Sequence, residues 1–224
     1  MQTLLQNVDF TGSNGSAWPT NQTTWTLLTK GAAGSATVQS NRGRLTTGAS
    51  GSYLDTLIMN TGVRVSGPVE VSGSFTLPNP YIEAYHLVGV GDGTRSGDDP
   101  TNGFSLKLDF LSATSLDVLL GVTVGGVLTT LTGPNFTHTA GSTTKFRLRS
   151  VDGALKAKVW ETTDEPVGIW PYQWATTVQE FTAGFLNLRI TCGAAAVANS
   201  IDFDDLRVDS LLPTVPIVST YRRN

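Results

Sequence analysis

Three aromatic residues in the last third of the chain are the first candidates for contact with a ligand. Trp170, Tyr172 and Trp174 occupy alternate positions in one short segment. If this segment is extended, alternate side chains point to the same side, and the three rings could form a platform. Aromatic faces stack on the apolar faces of sugar rings and also anchor protein interfaces. The alternative is that the segment is a loop that folds over a sheet and buries its rings.

A group of carboxylates near the C-terminal end is the second candidate, comprising Asp202, Asp204 and Asp205. The alternation of apolar residues breaks within this group, because one extra residue separates Phe203 from Leu206. Such an insertion predicts a β-bulge, which re-aims a side chain and frees backbone carbonyl groups. Carboxylate and carbonyl oxygens are the ligands that Ca²⁺ prefers. The alternative is that these aspartates are solvated or pair with the neighbouring arginine.

Other kinds of chemistry have little support in the sequence. The single cysteine, Cys192, falls in phase with apolar neighbours, so we expect a buried small residue. The two histidines, His86 and His138, are far apart, so neither a zinc site nor a nucleophile–histidine–carboxylate arrangement is predicted. The glycine-rich stretch 89–100 lacks both a following helix and a Gly-Lys-Ser/Thr sequence, which argues against a phosphate-binding loop.

The elements that must position these residues are predicted to be β-strands. Apolar and polar residues alternate with a period of two in 69–77, 104–110 and 145–149, as in strands with one buried face. Further strands are predicted at 84–91, 115–124, 127–132, 154–160 and 183–191, with weaker ones at 24–30, 36–47 and 53–60. Glycine, proline and Asp-Gly turn signals separate these segments. The pattern predicts an all-β domain of two packed antiparallel sheets over residues 1–210.

The last residues, 211–224, differ from the rest. Pro213 and Pro216 cannot donate hydrogen bonds within a ladder, and the residues around them are β-branched. We therefore expect an extended C-terminal arm outside the sandwich. It is either a frayed tail or a strand added to a neighbouring subunit.

Composition limits the classes of function. The 224 residues suit one large domain, and 39% hydrophobic content with only 15% charged residues favours strands and turns over helices. The net charge of −3 gives no electrostatic basis for nucleic-acid binding. The N-terminal residues lack the basic and apolar regions of a signal peptide, and no stretch is long enough to span a bilayer, so we expect no membrane insertion.

Four groups of segments resemble a known family: 7–10 with Gly15 and Trp25, 41–45, 155–160 with Glu165-Pro166, and 201–208. They resemble LamG/concanavalin A-like sandwich modules, the lectin and glucanase jelly roll, as found in virion proteins of tailed bacteriophages. The resemblance implies a two-sheet jelly roll. It also implies that Asp202, Asp204 and Asp205 could hold a structural calcium, as similar aspartates near the last strand do in related modules.

The resemblance also bears on catalysis. Sandwich glucanases carry their carboxylates on one strand as Glu-x-Asp-x-x-Glu or Glu-x-Asp-x-Glu, and none of the five glutamates here stands in such a pattern. We therefore expect no enzyme. The expected function is that of a bacteriophage virion structural protein, made in the host cytoplasm, in a minor tail, tail tip or fibre. Expected partners are other virion proteins, further copies of this chain and a host cell-surface glycan. Alternatives are a capsid decoration protein, a free carbohydrate-binding module and a glycoside hydrolase with an atypical site.

Overall fold

The computed structural model describes residues 2–18, 25–30, 34–47, 54–60, 64–76, 84–92, 95–96, 99–112, 114–139, 141–151, 153–175, 184–192 and 200–211. These residues form strands and connecting turns, and none of them lies in an α-helix. The prediction of an all-β chain is therefore confirmed.

Eighteen strands follow one another along the described residues. They are β1 (Gln2–Asn7), β2 (Trp25–Lys30), β3 (Ser35–Gln39), β4 (Arg42–Thr46), β5 (Leu54–Asn60), β6 (Val69–Thr76), β7 (Ala84–Gly91), β8 (Arg95–Ser96), β9 (Asp99–Pro100), β10 (Gly103–Ser112), β11 (Ser115–Val124), β12 (Val127–Thr132), β13 (Phe136–Thr137), β14 (Thr143–Val151), β15 (Ala154–Trp160), β16 (Tyr172–Ala175), β17 (Phe185–Cys192) and β18 (Ser200–Leu211).

Two antiparallel sheets account for all but the short β8–β9 pair. Sheet A has the order β16-β15-β14-β6-β18-β4-β3, and β1 also pairs with β18. Sheet B has the order β12-β11-β10-β7-β17-β5-β2, and β13 also pairs with β11. Neighbouring strands in each sheet include pairs that are distant in sequence, such as β6 with β18 and β7 with β17. These long-range pairings are those of a jelly-roll sandwich.

The core lies between the inward faces of the two sheets. Sheet A contributes Phe75 and Phe146, and sheet B contributes Leu106 and Leu188, all of which are buried. Because side chains alternate between the faces of a strand, their sequence neighbours point away from the core. The two outward faces are therefore the places where a ligand could meet regular structure.

Two local predictions are confirmed. Strands β14 and β15 pair as a hairpin on either side of the predicted turn, with Val151 opposite Ala154 and Gly153 at a φ of 68°. The predicted β-bulge also occurs, because the register of β18 against β6 shifts between Asp204 and Arg207. At the bulge Asp205 has a φ of 52°, a left-handed conformation that aspartate tolerates better than most residues.

Strand β18 continues one residue past the expected end of the sandwich. The Leu211 N–H donates to the Pro68 carbonyl oxygen at 2.8 Å. The rest of the predicted arm, residues 212–224, lies outside the described residues, as does the side chain of Cys192.

Candidate functional site

The structure separates Trp170 from Tyr172 and Trp174, the other two aromatic residues of the predicted platform. Tyr172 is buried in the core, and Trp174 is partly buried against it. The Tyr172 hydroxyl donates to the Pro134 carbonyl oxygen at 3.1 Å, and burial raises the pKa of this phenol to about 12. Trp170 precedes β16 and lies elsewhere. The three rings therefore do not form one shared surface.

Trp170 covers cations on the outward face of sheet A. The Arg149 Cζ and the Lys158 Nζ each lie 4.8 Å from the centre of a Trp170 ring, within cation–π range. The loop 161–171 carries Trp170 to this position, because Lys158 donates to the Pro166 carbonyl oxygen at 2.6 Å and to Glu165 Oε1 at 3.0 Å. Trp170 is partly exposed.

Paired charges cover the rest of the outward face of sheet A. Glu70 is almost fully buried and accepts a hydrogen bond from Arg149 Nε at 2.7 Å, with an Arg147 nitrogen at 3.5 Å. Beside it, Asp209 accepts two hydrogen bonds from Arg207, at 2.6 and 2.7 Å. Each buried carboxylate thus has an arginine partner, as buried charges require. Ion pairs therefore occupy this part of the face.

Two of the three aspartates proposed for calcium are paired with arginines. Asp202 accepts a two-fold hydrogen bond from Arg44, at 2.6 and 2.7 Å, and this bond raises the Arg44 pKa. Asp204 lies 3.8 Å from Arg42, and burial raises the pKa of its carboxyl. Asp205 is exposed at the bulge. Among the residues that the structure describes, no group of three or more His, Cys, Asp or Glu side chains could hold a metal ion.

The outward face of sheet B has a different character. Gly89, Ser105 and Gly121 lie opposite one another on β7, β10 and β11, and Asn187 on β17 continues the row. All four are buried. Arg189, two residues after Asn187 on β17, is also buried. We call these five residues the polar face of sheet B.

Glycines give the polar face its shape. A Cβ atom at Gly89 would lie 2.3 Å from the Phe104 carbonyl oxygen, so only glycine permits this approach of β7 and β10. Pro100 covers the facing glycines Gly91 and Gly103, because a Cβ at Gly91 would lie 2.5 Å from the Pro100 Cβ. The result is a strip with little side-chain bulk that is bounded at one end by Pro100.

A carboxylate pair lies at the other end of sheet B. Asp109 on β10 and Asp117 on β11 are direct register partners and share the outward face. Lys107 Nζ lies 3.3 Å from Asp109 Oδ2, and all three side chains are partly exposed. Two carboxylates on facing strands are the minimum that glycoside hydrolysis needs, although the ion pair holds Asp109 to a lysine. The sequence prediction missed this pair because the residues are eight positions apart.

A buried histidine closes the end of the sandwich. His138 Nδ1 lies 2.6 Å from Glu161 Oε1, and Thr144 donates to the same oxygen at 3.0 Å. Burial raises the pKa of Glu161, but hydrogen bonds from the loop, including one from the Thr139 N–H, outweigh it and leave this pKa below its usual value. The His138 ring packs edge-to-face on Phe110 with its centre 5.3 Å away. This cluster ties the loop before β14 to the end of β15, with His138 and Thr144 buried and Glu161 partly exposed.

Comparisons with known proteins identify the fold. No protein-family model matches the chain, and no curated protein matches its sequence. Among solved structures, a pseudo β-1,3-glucanase of Mycobacterium tuberculosis matches with a TM-score of 0.65 and 12% identity, over 93% of this chain and 99% of that one. A β-1,3-glucanase from Mycobacterium marinum matches with a TM-score of 0.64 and 11% identity, over 92% and 98%. The carbohydrate binding module CBM66 from Bacillus subtilis matches with a TM-score of 0.56 and 12% identity, over 85% and 98%.

The chain therefore has the concanavalin A-like β-sandwich fold of lectins and glucanases. At such low identity the likeness establishes the fold alone, since one fold carries many functions. None of the described residues form a helix capable of crossing a lipid bilayer.

Proposed function

We propose that this chain is a non-catalytic binding domain that adheres to polysaccharide through the polar face of sheet B. The observation that carries this proposal is the row Gly89, Ser105, Gly121 and Asn187. Glycines let a flat sugar ring approach the backbone closely, while hydroxyl and amide side chains beside them match sugar hydroxyls. Ser105 and Asn187 are only 7% and 4% exposed, so a ligand would contact them at the bottom of the glycine strip.

The two outward faces differ in what they can offer a neutral ligand. On sheet A, a sugar hydroxyl would have to displace ion pairs such as Glu70–Arg149 before it could bind. On sheet B, Ser105 and Asn187 carry neutral groups whose hydrogen bonds can be exchanged at lower cost. The carbohydrate-related names of the structural neighbours agree with this choice of ligand class.

Affinity electrophoresis through gels that contain β-glucans, fructans or bacterial cell-wall polysaccharide tests the proposal. Retardation should occur on at least one polysaccharide and should be lost in Asn187→Ala. The matched control is Trp170→Ala, which alters the other sheet and should retain binding. Retardation that is lost in Trp170→Ala but kept in Asn187→Ala would place the ligand on sheet A and refute the assignment.

We further propose that this domain serves in the virion of a tailed bacteriophage, as a minor tail, tail-tip or fibre protein. The support is the resemblance of segments 7–10, 41–45, 155–160 and 201–208 to virion modules of that kind. A sandwich that needs no disulfide suits a protein assembled in a reducing cytoplasm, since the chain has only one cysteine. Capsid decoration is the alternative position.

Immunogold labelling of purified particles tests this second proposal separately. Label at the tail or tail tip supports it, and label over the capsid supports the alternative position. Absence of the protein from purified particles would refute a virion role without affecting the polysaccharide assay.

A further inference from the structure

Strand β12 is the most exposed regular element among the described residues. All six of its residues are exposed, although it belongs to an eight-stranded sheet. Val127 is 69% exposed and Leu131 38%, and Val124 across the turn is 65% exposed. Proteins usually protect such an edge with lysine, proline or a bulge, and β12 has none of these.

The backbone of β12 is prepared for a further strand. Gly125 and Gly126 have φ angles of 58° and 83° and form a two-residue turn, with Val124 opposite Val127. In such hairpins the pair that flanks the turn is hydrogen-bonded, and the pattern then alternates. Leu128, Thr130 and Thr132 therefore direct their N–H and C=O groups away from β11, toward the free edge.

The side chains of β12 are complementary to a second copy of themselves. A two-fold axis perpendicular to the sheet, passing beside Thr129, places Val127 opposite Leu131 of the partner subunit on the inward face. It places Leu128 opposite Thr130 of the partner subunit on the outward face. Apolar cross-strand pairs of this kind stabilise a sheet, and the strand carries no charge that would repel its copy. The same surface serves both copies, as in a two-fold dimer.

We propose that this chain forms a dimer by antiparallel pairing of β12 with β12 of a second copy. The two copies of sheet B then become one continuous sheet, and Thr129 faces Thr129 of the partner subunit. The polar faces of both copies consequently lie on the same side of that sheet. The pairing is independent of the polysaccharide proposal and would present two binding faces to one surface.

Disulfide trapping tests the register. In a Cys192→Ser background, Thr129→Cys should form a covalent dimer under mild oxidation, because Cα atoms of a non-hydrogen-bonded pair lie about 4.5 Å apart, within disulfide range. Thr132→Cys is the matched control on the same exposed strand. In this register position 132 lies about six residues, or roughly 20 Å, from the same position of the partner subunit, so this variant should form no covalent dimer. Equal trapping of both variants would overturn the proposal.

Sedimentation equilibrium tests the interface without a cross-link. The protein should show twice the chain mass of 23.8 kDa, and Thr130→Pro should halve the observed mass. Proline at position 130 removes an N–H from the free edge and leaves the ladder to β11 intact, so the circular dichroism spectrum of the folded protein should be unchanged. A wild-type monomer would refute the proposal, as would a dimer that survives Thr130→Pro but is lost on deletion of 212–224.

Discussion

Replacement of Tyr172 by phenylalanine tests how the edge strand β16 is held to the rest of the sandwich. The buried phenol makes one hydrogen bond, to the Pro134 carbonyl oxygen. Its ring fills the space beside Gly133, where a Cβ atom would lie 2.2 Å from Tyr172 Cδ1. Tyr172→Phe keeps the ring and removes the bond, so the free energy of unfolding at pH 7 should fall by about 1 kcal/mol.

The difference in free energy of unfolding between the wild type and Tyr172→Phe should also depend on pH. The pKa of Tyr172 is about 12 in the folded protein and about 10 in an unfolded chain. Between these values the unfolded state releases the proton while the folded state keeps it, so the stabilisation is present below pH 10 and is lost as the pH rises. At pH 11 the wild-type protein should have lost about 1 kcal/mol through this residue, after allowance for solvent screening. The two proteins should then be nearly equal in stability.

Urea unfolding followed by tryptophan fluorescence at pH 7, 9 and 11 measures both quantities. The other tyrosines contribute equally to both proteins and cancel in the difference. Gln173→Ala, an exposed change on the same strand, is the control and should leave stability unchanged at every pH. A difference between wild type and Tyr172→Phe that stays constant from pH 7 to pH 11 would refute the assignment of Tyr172 to the core.

Three further predictions concern the sheets. The lowered pKa of the Glu161 carboxyl contributes stability above about pH 4 that is lost on acidification. The Glu161→Gln variant should therefore lose less unfolding free energy than the wild type between pH 7 and pH 3, as measured by acid titration followed by circular dichroism. Glu70→Ala should lower the free energy of unfolding in urea by about 2 kcal/mol, because it leaves Arg147 and Arg149, both partly hydrated, without their carboxylate partner. Glu70→Gln should lower it by less, and equal losses would contradict a stabilising role of the ion pairs. Gly89→Ala should cost several kcal/mol in chemical unfolding or prevent folding, because its new Cβ would meet backbone that has to move. Gly121→Ala would meet only side-chain atoms, Ser105 Oγ at 2.6 Å and Leu128 Cδ1 at 3.2 Å, both of which can move, so it should cost about 1 kcal/mol.

Much of the fold could be predicted from the sequence, because buried and partly exposed residues alternate along strands such as β14. The last strand shows how far such reasoning extends: the interrupted alternation before Leu206 predicted a bulge, and the register shift confirms it. The segment 36–47 shows its limit. It was predicted as one strand but forms the hairpin of β3 and β4. At the turn of this hairpin Ser40 and Asn41 adopt left-handed conformations, with φ of 52° and 59°. Of these two residue types only asparagine favours such a conformation, so the sequence signals the turn weakly.

The candidate site was harder to predict because it depends on pairing between strands. The alternation rule applied to Trp170 and Tyr172 assumed one extended segment, but β16 begins at Tyr172, so the two side chains need not share a side. The Asp109–Asp117 pair depends on a register shift between Phe110 and Ser112, where Leu111 is extra. Without this bulge Asp109 would face a core residue. No feature of the single sequence marks the shift.

Adhesion without bond cleavage is tested most directly by a single incubation of the purified protein with an insoluble polysaccharide that retards it in gels. The fraction of protein bound and the reducing ends released are measured together over a day. We expect saturable binding and no release of reducing ends above the buffer control. Release of reducing ends that disappears in Asp109→Asn or Asp117→Asn would show that this carboxylate pair is catalytic and would contradict this expectation.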